Sequence, residues 1–100
     1  MSKNIFEEES VRMLVSSLVG IKSEGEARAL LEDLLTAKEI IDISQRLSVA
    51  QMLSEKEVYS RIVEKTGAST ATISRVNRSY TYGKGGYKAA LERIEKTKKR

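Results

Sequence analysis

Thr70, Ala71, Ser74, Arg75 and Arg78 carry the chemistry this chain is best equipped for, which is recognition of a polyanion. Wound as a helix at about 100° per residue, the five fall within a sector of about 140°. Thr72, Ile73 and Val76 turn the other way. The outward sector is small, hydroxylated and twice basic, with no acid in it. A helix that enters the major groove of duplex DNA needs such a surface. Short side chains let the backbone approach, hydroxyls bond phosphates or base edges, and an arginine fork pairs with guanine or phosphate. An ordinary solvated helix face would look different, since it usually carries Glu/Lys pairs.

The charge distribution points the same way. Residues 1–50 hold 6 basic and 9 acidic side chains, a net −3, while residues 51–100 hold 12 and 5, a net +7. No acid occurs between Glu64 and Glu92, where Lys65, Arg75, Arg78, Lys84 and Lys88 all fall. A polyanion meets an attractive field there and mild repulsion elsewhere.

Other chemistry is poorly served. The 100 residues contain no His and no Cys, which removes thiol nucleophiles, Cys/His zinc sites, disulfides and every histidine-based catalytic arrangement. No pair of acids stands beside an apolar pocket pattern, so the chain is expected to be no enzyme and to hold no metal or cofactor. No apolar run approaches the roughly 18 residues a membrane span requires, and the N-terminal MSKNIFEEES has acids where a signal peptide would carry bases. A cytoplasmic location is the expectation.

The elements that must position the basic face read as six helices in one domain spanning residues 1–100. The first runs from about Ile5 to Gly20. Ser23 caps the second, with Glu26 completing a capping box. Thr36 and Glu39 form a second box opening a long helix to about Ser54, in which Ile40, Ile43, Leu47, Ala50 and Leu53 make a narrow apolar seam. So many apolar positions with so few loops predict burial against a second copy as well as within the chain. Two short helices follow, Val58–Lys65 and Thr70–Ser79, around a turn in which Gly67 suits a left-handed C′ position and Ser69 can cap the second helix. The pattern is a helix-turn-helix over about residues 58–79. The segment Tyr80–Gly86 is expected to break helix, and a last amphipathic stretch runs from Tyr87 to about Thr97, with a frayed end at Lys96–Arg100.

LLTAKE at 34–39, Arg46 and above all TGASTATISRVNRS at 66–79 resemble the Trp repressor superfamily, within it the Trp-repressor-related YerC/YecD branch. The resemblance implies an all-α, six-helix, Trp-repressor-like fold with a helix-turn-helix, built as an intertwined homodimer. Its paired recognition helices would enter successive major grooves about 34 Å apart. Ser69, Thr70, Ala71, Thr72, Ser74, Arg75 and Arg78 make up the expected DNA-binding set. For Thr70, Ala71, Thr72 and Ser74 the resemblance itself supplies the DNA- or phosphate-facing role.

In the tryptophan-binding members two arginines sandwich the indole, and Arg46 and Arg75 stand at those positions here. Thr36 and Ser79 match polar positions of the same site. These four are the possible effector-binding residues. Val76 replaces a glycine that lies beside the ligand, which disfavours tryptophan. Tyr59, Ser60 and Val63 replace polar or basic phosphate-facing residues. Read without the resemblance, Arg46 is a snorkelling residue or pairs with Asp42 four residues earlier, and Arg75 is a phosphate contact.

Weaker signals complete the reading. Gly83–Gly86 lacks the spacing of a phosphate-binding loop and reads as a flexible link. Tyr80, Tyr82 and Tyr87 either stack on unpaired bases or pack their segment onto the core. The expected function is a dimeric regulator that binds double-stranded DNA, repressing by occupancy. A helical dimer whose basic hairpin docks an acidic protein partner is the alternative.

Overall fold

The computed structural model describes residues 4–98, and within them every regular element is helical. A short 3-10 turn, Ile5–Glu7, precedes α1 (Glu9–Val19), α2 (Glu24–Leu34), α3 (Ala37–Ser54), α4 (Tyr59–Thr66), α5 (Thr70–Tyr82) and α6 (Gly86–Lys98). The six expected helices are present, with three boundary corrections. Asn4 accepts the Phe6 amide and closes the 3-10 turn, and Glu8 is extended, so α1 begins later than Ile5. The helix expected to end at Ser79 continues to Tyr82. The tail expected to fray from Lys96 is helical through Lys98, and Lys99 and Arg100 lie outside the described residues. Among the described residues no helix is long and apolar enough to cross a membrane.

The chain divides between Ala37 and Lys38 into two compact units. In the first, the α2 capping box forms: Ser23 Oγ accepts the Glu26 amide at 3.1 Å, while Glu26 Oε1 reaches back to the Lys22 amide at 3.1 Å. Met13 and Leu14 of α1, with Leu30, Leu34 and Leu35, line an apolar groove of about 480 Å³ in this unit. No side chain of α1 or α2 is fully buried.

The second unit holds the core. Val49 and Ala50 of α3, Ile62 of α4, Ala68 of the turn, and Ile73 and Val76 of α5 are buried. Met52, Leu53, Tyr80, Tyr87 and Leu91 pack around them. Burying each of the larger aliphatics stabilises the fold by about 1.5–3 kcal/mol. Along the α3 seam only Ala50 is buried in the single chain; Ile40, Leu47 and Leu53 are half-buried and Ile43 is exposed.

Candidate nucleic-acid interface

The α4–α5 corner is built by local hydrogen bonding. Thr66 ends α4 by donating its hydroxyl to the Ile62 carbonyl at 2.7 Å and accepting the Ala68 amide at 3.1 Å. Gly67 follows at φ 73°, a left-handed conformation that a residue with a Cβ adopts at a cost of about 1–2 kcal/mol. Ala68 then turns into the core, and Ser69 Oγ accepts the Thr72 amide at 3.1 Å to start α5. Gln45 of α3 donates to the Thr66 carbonyl at 3.0 Å, so the turn is tied to the long helix beneath it. A chain reversal in three residues, capped on both sides, leaves little freedom in how α5 is presented.

The faces of α5 separate as the winding predicts. Ile73 and Val76 are buried and anchor the helix. Thr70, Ala71, Ser74, Arg75 and Arg78 are all exposed, as is Ser69 at the cap. Thr72 is the exception within the expected set. It is half-buried, receives a hydrogen bond from Ser69 Oγ at 3.0 Å, and lines a cavity rather than the outward face. No described acidic residue belongs to α5.

That cavity, about 340 Å³, is lined by Arg46, Thr72, Arg75, Val76, Ser79 and Tyr87. It brings together three of the four possible effector-binding residues, Arg46, Arg75 and Ser79. The fourth, Thr36, lies in the first unit, immediately before α3. Val76 is 4% exposed and forms part of the cavity wall, so its side chain stands where bare backbone would otherwise be open. The expected Asp42–Arg46 pair does not form. Asp42 instead receives Lys38, its neighbour one turn earlier, at 2.9 Å. Tyr87 was missed as a wall residue because it follows a glycine-rich link whose path a helical pattern cannot fix.

Two short helices, α4 and α5, joined by a rigid turn, with the inner side of α5 buried and its outer side basic, form a helix-turn-helix. The Trp repressor protein family matches residues 9–95, and the chain belongs to that family, whose members are regulators rather than enzymes. The uncharacterized protein YerC of Bacillus subtilis (strain 168) is 45% identical over 84 residues, 84% of this chain and 81% of YerC. A crystal structure of a TrpR-like protein from Eubacterium eligens superposes with a TM-score of 0.85 at 46% identity, covering 93% of this chain and 96% of that one. A Trp repressor candidate from Staphylococcus aureus gives 0.82 at 35% identity, covering 94% and 96%.

Proposed function

We propose that this chain is a cytoplasmic, dimeric transcription regulator that binds duplex DNA sequence-specifically and represses by occupying its operator. The observation that carries the reading is the outward face of α5: Thr70, Ala71, Ser74, Arg75 and Arg78 are exposed together on a helix whose opposite side is locked into the core. Ser69 and Thr70 lie at the N-terminus of α5, where free amides and the helix dipole favour a phosphate. Arg75 and Arg78 supply the forks that pair with guanine or phosphate.

Dimerisation is supported by the apolar surface the single chain leaves in water. Met13 is 71% exposed and Ile41 66%, and the apolar groove of the first unit has no cover within it. Leaving that much aliphatic surface wet is unfavourable, and a second copy of the chain is the partner that family membership supports. The Arg46–Arg75 cavity is proposed as an effector site that does not accept tryptophan, because Val76 fills the wall against which an indole would lie. The protein-module alternative gains no comparable support, since Thr70, Ala71 and Ser74, at the N-terminal half of the exposed face, are small and offer no large anchor of the kind that fills a pocket on a protein partner.

Selection of bound duplexes from a random-sequence pool tests the reading directly. An enriched two-fold symmetric site is the expected result. Recovery of no preferred duplex by a folded protein would remove it.

A further inference from the structure

The three tyrosines at the end of the reading helix and just after it have separate fates. Tyr80 and Tyr87 pack against the core, and Lys88 stands 5.3 Å from the Tyr80 ring centroid. Tyr82 does neither and is 83% exposed, more than any other large apolar or aromatic side chain among the described residues. Its exposure follows from the extra turn of α5. Gly83 accepts the helix's exit because its amide bonds the Ser79 carbonyl, and a Cβ there would collide with that same carbonyl. Helix therefore continues to Tyr82 and stops at once.

The continuation matters for direction. Ala71, Arg75, Arg78 and Tyr82 are spaced by four, three and four residues, which places them within about 60° of one another on the helix. Tyr82 is thus the last member of the stripe that carries the two arginines. Its distance along the axis decides what it can reach. Ala71 and Tyr82 are separated by eleven residues, about 16 Å, whereas the major groove is about 12 Å wide and 8.5 Å deep. A helix with Ala71 at the base edges holds Tyr82 beyond the groove, over the sugar–phosphate rail.

We propose that Tyr82 is a DNA-backbone contact, its hydroxyl donating to a phosphate and its ring covering the adjacent deoxyribose. The proposal rests on the DNA-binding reading above and adds a residue to it. A phenol suits this task, because it offers one directional donor on a flat apolar body with only two side-chain torsions to fix. Being neutral, it displaces no counterion, and touching no base, it reads no sequence. Tyr82 therefore sets how far α5 tilts into the groove and leaves the choice of bases to the residues nearer its N-terminus.

The experiment uses the full-length protein and the tightest duplex from a random-sequence pool, with fluorescence anisotropy at several salt concentrations. Tyr82→Phe should weaken binding about 3- to 10-fold and Tyr82→Ala by more, equally on duplexes altered at single base pairs. The salt slope should match that of the wild type, while Arg78→Ala should make it shallower. Ethylation of one particular phosphate should hinder the wild type and cease to matter for Tyr82→Phe. A folded Tyr82→Ala protein with wild-type affinity would overturn the proposal and leave the DNA reading standing. So would a change in its sedimentation behaviour, which would assign Tyr82 to contact between copies. A wild type that enriches no duplex overturns both.

Discussion

Asn77 donates from Nδ2 to the Tyr59 hydroxyl across 3.2 Å, joining the middle of α5 to the first residue of α4. The same amide accepts from Thr81 Oγ1 through its oxygen, at 3.3 Å. The Tyr59 bond links α4 to α5 outside the core cluster that holds Ile62 and Ile73, while the Thr81 bond lies within α5 and orients the Asn77 amide towards it. Because water competes at such a site, each bond is worth about 0.5–1.5 kcal/mol. Tyr59→Phe is expected to lower stability by about 0.5–1 kcal/mol, read as a shift in the urea midpoint with an unchanged slope. A loss several times larger would show that the hydroxyl holds more than this corner.

Ala71→Glu separates folding from binding. Ala71 is exposed in the first turn of α5, where the helix dipole favours an acid, so the variant should fold as the wild type does. Its carboxylate would face phosphates across a partly desolvated contact, and duplex affinity should fall by about 100-fold or more. Unchanged affinity in the folded variant would mean that another surface meets the DNA.

Salt should weaken binding steeply. Lys65, Arg75, Arg78, Lys84 and Lys88 give up to ten phosphate-seeking groups in a dimer, and Lys88 is already drawn towards the Tyr80 ring. With about half engaged, log affinity should fall against log salt with a slope of roughly −4 to −5. A slope near zero would exclude this face as the one used.

Tryptophan should not act as a corepressor of the wild type. Pressing a ligand against a stiff, buried valine costs about 1–3 kcal/mol, roughly a 5- to 150-fold loss of affinity. Titration into wild type and Val76→Gly, with and without duplex, reads the effect. The glycine variant is expected to bind tryptophan more tightly than the wild type. Tight binding by the wild type coupled to stronger DNA binding would contradict the steric argument.

The fold was legible wherever short-range chemistry sets the chain's path. Ser23 with Glu26, Gly67 with Ser69, and the alternation of Ile73 and Val76 with Ser74 and Arg75 all act within four residues, and the structure places them as their types require. The errors arose where two local preferences competed. Tyr80, Thr81 and Tyr82 are mediocre helix formers ahead of three glycines, and they read as a break; the Tyr80 contact with the core carries the helix through them. Asp42 had a cation four residues away on either side, and spacing alone did not choose between Lys38 and Arg46. The outward face of α5 from Thr70 to Arg78 was visible in the sequence, whereas its continuation to Tyr82 was not, and the wall supplied to the cavity by Tyr87 depends on the path of the link.

Among the described residues the six buried ones all lie between Val49 and Val76. A core drawn from neighbours so near in sequence closes only small loops, and such topologies fold in microseconds to milliseconds. The α3–α5 core is therefore expected to assemble on each chain alone, in a first kinetic phase whose rate does not depend on protein concentration. The proposed joining of copies would follow as a slower, concentration-dependent phase. On the proposed reading, a single chain would thus carry its DNA-binding surface in finished form on leaving the ribosome, and encounter with a second copy would decide how firmly that surface is held rather than whether it exists.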